Sequence, residues 1–165
     1  MAADSEAHPT RVAVIIFRHT MRHIPEYLLV QDTSTAKRVW QLLVGDVAPE
    51  MNPKETARWT VEHVAGFRVH GDVASADYRY NLPLWGSAIL QPDAQAIPDY
   101  PAAGFEAAYM VEVGPQDGDP QIRDPRYGAF RWVSVIDAVS MLRYPEHVEA
   151  LMQVSSKVDA SGSQI

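Results

Sequence analysis

Between Gly45 and Phe67 the chain reads GDVAPEMNPKETARWTVEHVAGF, a stretch that carries Asp46, Glu50, Glu55, Glu62 and His63. Carboxylates grouped on one segment are the ligands that a hard cation such as Mg²⁺ takes, because anionic oxygens offset the cost of stripping its water. A neutral imidazole at His63 adds a donor suited to a transition metal. These residues divide by position. Asp46 and Glu50 fall in the loop behind Gly45, where a ligand can reach them, while Glu55 and Glu62 share a helix face with Arg58. The competing reading of Glu62 is an exposed i, i+4 pair with Arg58. A metal held here would draw on Asp46, Glu50, Glu62 and His63.

A second set of residues is suited to stacking. Trp59 and the segment DYRYNLPLW at 77–85 place aromatic faces around Arg79, with Tyr80 and Trp85 beside it. That composition fits a nucleobase or a pterin, and it also fits a core. His19, Arg22 and His23 form a small cationic group that can meet a phosphate or simply solvate a connection. His70 has no carboxylate partner evident in the sequence.

The element that must position most of these residues is a helix. Asn52 can cap it, Pro53 suits its first position, and Glu55 sits where its side chain reaches back to the free amides. Gly66 supplies the stop, and Ala57, Val61 and Val64 form the stripe that faces the core. Ahead of the helix, RVAVIIFR (11–18) is a β-branched apolar run of the kind that forms a strand buried on both faces. EYLLVQD (26–32) is the next strand, and VWQLLVGDV (39–47) is a third extended segment. Beyond the helix come FRVHGDV, ADYRYNL, an irregular stretch at 91–104, a strand at 105–113, a loop at 114–128 and a strand at 129–135. Two helices separated by Pro145 follow. Residues 1–10 and 158–165 read as frayed ends, leaving one domain over 11–157. Strands before, between and after helices predict an α/β/α sandwich with a mixed sheet between helices.

Composition narrows the function classes. The 165 residues, 47% of them hydrophobic, suffice for one sizeable core. Fourteen basic and 21 acidic residues give a net charge of -7, which argues against a broad contact with nucleic acid. Eleven of the fourteen cations are arginine, so single guanidinium forks stay available for anions. The absence of cysteine removes disulfides, thiolate metal sites and cysteine nucleophiles. No apolar stretch is long enough to cross a bilayer, and MAADSEAHPT lacks the build of a signal peptide, so a soluble cytoplasmic protein is expected.

The order strand, glycine loop, capped helix and glycine resembles the Nudix hydrolase superfamily, whose signature is G-x5-E-x7-R-E-U-x-E-E-x-G-U, with U a bulky apolar residue. Counted from Gly45 the spacing matches without gaps, with the second glycine on Gly66 and the apolar positions on Val61 and Phe67. The flanks RVAVIIF, VWQLLVGDV, YPAAGFEAAYMVEV and FRWVSVIDAVSML follow in the family's order and are similar to the branch that includes dihydroneopterin triphosphate pyrophosphohydrolases. The resemblance implies a Nudix-like fold, a homodimer, and Mg²⁺- or Mn²⁺-dependent chemistry on a nucleoside- or pterin-diphosphate linkage.

The catalytic positions depart from the signature. The glutamate and arginine that brace the loop in the family fall on Met51 and Trp59, and the three metal-binding glutamates fall on Thr60, His63 and Val64. A further glutamate found in some active relatives, counted from Trp132, falls at about Arg126 or Tyr127. Without carboxylates the cation loses its ligands, and the charge developing on a phosphoryl group loses its stabiliser. The expectation is a Nudix-fold protein that binds a nucleotide-like ligand or a protein partner without efficient hydrolysis. The alternative is a divergent hydrolase with its metal moved onto Asp46, Glu50, Glu62 or His63.

Overall fold

The computed structural model describes residues 9–34, 36–81 and 104–162. The first strand, β1 (Arg11–His19), divides its side chains between two hydrophobic clusters. Val12, Val14 and Ile16 enter one cluster, and Ala13, Ile15 and Phe17 enter the other. This is the alternation that a strand buried on both faces must show.

Six further strands follow in chain order: β2 (Pro25–Asp32), β3 (Val39–Gln41), β4 (Leu43–Asp46), β5 (Ala74–Asn81), β6 (Phe105–Glu112) and β7 (Tyr127–Val133). The helices are α1 (Pro53–Trp59), which runs on into a π-helical turn at Thr60–Val64, then α2 (Val135–Met141) and α3 (Pro145–Gly162). The main path of the sheet is β3-β2-β1-β6-β5, with β4 paired to β1 and β7 paired to β2. Among the described residues only the β1–β6 strand pair is parallel, so the sheet is mixed as expected. Ala57, Val61 and Val64 of the α1 segment seal one face, and Leu151, Val154 and Val158 of α3 with Ala138 of α2 seal the other. The result is the α/β/α sandwich.

One edge of β1 is shared between two partners. Its first residues pair with β4, from Arg11 opposite Asp46 to Val14 opposite Leu43, while its end pairs with β2, from Phe17 opposite Tyr27 to His19 opposite Pro25. Meanwhile β2 carries on beside β3 and β7. The sheet therefore forks at the middle of β1.

Four details differ from the sequence reading. The segment 39–47 is two strands rather than one, because the chain must cross the fork between Gln41 and Leu43. The helix after Asn52 is capped as expected, with the Asn52 side chain accepting from the Lys54 amide, but it widens at Thr60. There the Thr60 hydroxyl donates to the Thr56 carbonyl at 2.8 Å, and such back-bonding bends helices. The last helix runs past 157 to Gly162, because Val158 extends the buried stripe of Leu151 and Val154. At the other end the ordered sheet begins at Thr10, whose amide donates to Phe105 O and whose carbonyl accepts from Val47, both at 3.0 Å. Trp85 and residues 91–103 lie outside the described residues.

Leu151 is fully buried where α3 meets the sheet. Leu151→Ala is expected to cost about 2–5 kcal/mol, read as a lower midpoint in urea with little change in slope.

Candidate functional site

The two signature glycines each answer a steric demand. A Cβ on Gly45 would sit 2.5 Å from Thr60 Oγ1, so this glycine lets the end of β4 lie directly against the helix. Gly66 has φ +76, in the left-handed region that favours glycine, and a Cβ there would meet Gln121 O at 2.8 Å. The loop after β6 packs on this helix end, with the Gln121 amide donating to Ala65 O and the Arg123 amide to Val64 O, each at 2.8 Å.

The residues at the signature's chemical positions are placed as follows. Thr60 is buried against Gly45, and Val64 belongs to the core. Met51 is exposed. Trp59 is 51% exposed and stacks on His63, with ring centroids 4.8 Å apart and planes at 17°. His63 Nδ1 lies 3.2 Å from Trp59 O, so that ring is tied back to its own helix. Glu62 faces Arg58 at 3.9 Å as the i, i+4 pair, and Asp46 and Glu50 are exposed.

This donor set does not fit a hard divalent cation. Thr56 Oγ1, the buried side-chain oxygen without a partner beside Gly45, is a neutral hydroxyl. Among the described residues no group of three or more His, Asp or Glu side chains is arranged to hold a metal ion.

Polar groups do converge inside the fork. A cleft of about 270 Å³ is lined by Arg11 and Val44 from one arm, by Asp32 and Gln41 from the other, by Arg126 ahead of β7, and by the start of α3. The first turn of α3 supplies Glu146 and His147, and Tyr144 directly precedes it. Gln41 and His147 are almost completely buried, so the cleft is built into the fold. The Gln41 amide nitrogen donates to Leu42 O at 3.2 Å and to the Tyr127 hydroxyl at 3.4 Å, leaving Oε1 without a donor among the described residues. Arg126 is held by Asp124, with Nη2 to Oδ2 at 2.8 Å, and its guanidinium lies 5.1 Å from the Tyr127 ring.

Beneath the cleft sits Glu106, which is 2% exposed. It stands directly opposite Arg11 in the parallel β1–β6 register and accepts from Arg11 Nε at 2.6 Å, while its other oxygen lies 3.5 Å from His147 Nε2. Burial works to raise the Glu106 carboxyl, but hydrogen bonds from His147 and Arg11 and the charge of Arg11 outweigh it and hold the group below its ordinary value.

Reading the sequence did not find Arg11, Asp32, Gln41, Glu106, Tyr144, Glu146 or His147. Pro145 registered only as a helix break, although the polar and aromatic residues packed around it were the available signal. Arg79 and Tyr80 lie on β5, two strands from β1, with the Arg79 guanidinium 3.7 Å over the Phe105 ring; neither lines the cleft. His70 does have a carboxylate partner, Asp117 at 3.0 Å, which the fold brings from 47 residues away.

No protein-family model matches the chain, and no curated protein matches it. Solved structures do. A Listeria monocytogenes protein classed as a NUDIX hydrolase aligns with TM-score 0.76 and 19% identity over 93% of this chain and 97% of its own. The NUDIX domain of Shewanella oneidensis NrtR complexed with ADP ribose aligns with TM-score 0.66 and 13% identity, over 96% of this chain and 93% of that one. The E. coli dihydroneopterin triphosphate pyrophosphohydrolase gives 0.65 and 13%, over 90% and 97%. The chain has the Nudix fold. No helix among the described residues is long and apolar enough to cross a membrane.

Two outcomes follow from this geometry. Gly45→Ala is expected to cost about 1–3 kcal/mol by overpacking, and Thr60→Ala in the same chain is expected to recover part of the loss, as read in a double-mutant cycle of urea midpoints. The second outcome concerns acid. The folded value of Glu106 lies below the unfolded one, so its contribution is present above the ordinary value of 4.5 and fades as pH falls through the lower folded value. Below pH 4.5 the melting temperature of the native protein is therefore expected to fall more steeply than that of Glu106→Gln.

Proposed function

We propose that this protein binds a small nucleotide-like ligand in the cleft of the fork and does not hydrolyse it by a metal-dependent route. The observation that carries this reading is the meeting of Arg11, Gln41, Arg126, Tyr144 and Glu146 around one 270 Å³ space whose wall, at Val44, adjoins Gly45. The positions where the resemblance expects carboxylates hold Thr60, His63 and Val64 instead.

The chemistry of the lining selects the ligand. A guanidinium presents a planar fork of donors that fits phosphate or carboxylate, so Arg11 and Arg126 can neutralise an anion where a cation would otherwise serve. Gln41 Oε1 and the Glu146 carboxylate are acceptors, and they pair with a heterocycle edge that carries N–H donors. Tyr144 is 37% exposed at the mouth and offers an aromatic face. A nucleotide or a phosphorylated pterin combines all three features. Two neighbours in fold support that class: one was solved with ADP ribose, and another is named for dihydroneopterin triphosphate.

Isothermal titration of the purified protein with GDP, ADP ribose and dihydroneopterin triphosphate tests the reading. Binding of at least one is expected to be unchanged by EDTA, without release of phosphate or pyrophosphate. Arg126→Ala is expected to weaken it about tenfold or more, the usual worth of a hydrogen bond to a charged group. Turnover that requires Mg²⁺ or Mn²⁺ and disappears on replacing Asp46, Glu50, Glu62 or His63 would instead establish the relocated hydrolase.

A further inference from the structure

Glu106 does not line the cleft, yet it touches two residues that do. Arg11 and His147 reach the same buried carboxylate from β1 and α3, one on each oxygen. Each of those contacts fixes something about the cleft.

Arg11 donates to Glu106 through Nε at 2.6 Å. A guanidinium held by Nε keeps both Nη groups free, and the bond fixes the plane in which they point. The Arg11 side chain is one-third exposed and borders the cleft, so this free end is what a ligand meets.

The His147 contact follows from the fork. Leu42 lies between β3 and β4, outside either strand, and its amide donates to His147 Nδ1 at 3.3 Å. An atom that accepts a hydrogen bond carries no proton, so Nδ1 is bare and the proton of the neutral ring is on Nε2, which faces Glu106 at 3.5 Å. Both ring nitrogens are thereby occupied by the protein. His147 offers the ligand a surface but neither a positive charge nor a donor.

We infer that Glu106 is the positioning residue of the cleft, directing the Arg11 fork at the anionic part of the ligand while holding the His147 ring turned inward. This rests on the cleft being the ligand site. Its consequence is that anion recognition in this part of the cleft comes from an aimed guanidinium rather than from a diffuse positive charge. Supporting residues that lock the rotamer of a contact residue act in this way.

The test uses two readouts on the full chain, comparing wild type with Glu106→Gln. The first needs no ligand: ¹⁵N spectra of the free protein are expected to show a protected, slowly exchanging Arg11 Nε–H and an unprotonated His147 Nδ1. The Arg11 signal is expected to be lost in Glu106→Gln. The second is a ratio: affinity for GDP is expected to fall about tenfold in the variant, while affinity for guanosine stays within about twofold, because only the charged contact is disturbed. A generally loosened fold would weaken both ligands together. A proton on His147 Nδ1, an unchanged Arg11 signal in the variant, or an unchanged GDP-to-guanosine ratio would each overturn the inference. Should wild type bind neither probe, the proposed ligand site fails and the Arg11 and His147 spectra alone decide the role of Glu106. If Glu106→Gln does not fold, Glu106→Asp serves with the same readouts, since it keeps the charge but shortens the reach by one methylene.

Discussion

A buried strand must satisfy its backbone donors and acceptors along its whole length, and β1 does so with two partners on one edge. β4 serves its beginning and β2 its end. Because β4 and β2 are joined through β3, the chain has to leave one arm of the sheet and enter the other within a single residue, Leu42. A residue between strands has an amide with no place in a ladder. His147 receives that amide, and it can do so only because α3 starts above the crossing. The same division that leaves the amide unpaired spreads the two arms, and the cleft lies between them.

On the opposite face the helix after Gly45 is held in place by uncharged side chains. Thr60 spends its hydroxyl on the Thr56 carbonyl and packs against Gly45. Val64 joins the core, and Trp59 with His63 forms an aromatic pair on the surface. Each of these side chains satisfies local packing or hydrogen bonding by itself. The two glycines answer demands of the backbone in the same way, a close approach at Gly45 and a left-handed turn at Gly66, independent of any chemistry the helix performs.

Local signals were legible and long-range pairings were not. The Asn52 cap, the Ala57–Val61–Val64 stripe, the Arg58–Glu62 pair and the double-faced burial of β1 all depend on residues within a few positions of one another, and periodicity exposes them. The π-helical turn at Thr60–Val64, which begins where the Thr60 hydroxyl bonds the Thr56 carbonyl, leaves no mark in the apolar spacing. The cleft depends on strand order. Arg11 meets Glu106 across 95 positions and Leu42 meets His147 across 105, so no window of sequence contains either contact. The Nudix spacing pointed to the helix after Gly45, and none of the candidate residues it named there lines the cleft.

The charge balance of the cleft follows from that topology. Arg11 is paired with Glu106 and Arg126 with Asp124, so each guanidinium brings its own counter-charge and the two pairs add no net positive charge. The whole chain carries -7, and its field opposes the approach of an anion. Under those conditions long-range attraction would not gather a phosphate at the proposed site. What remains is recognition at contact, where the unused Nη donors of a fixed guanidinium form directed bonds over a distance too short for solvent to screen. Such a site discriminates by geometry more than by charge. If the fork takes an anion as proposed, an arginine held by a buried carboxylate serves it better than several mobile cations would.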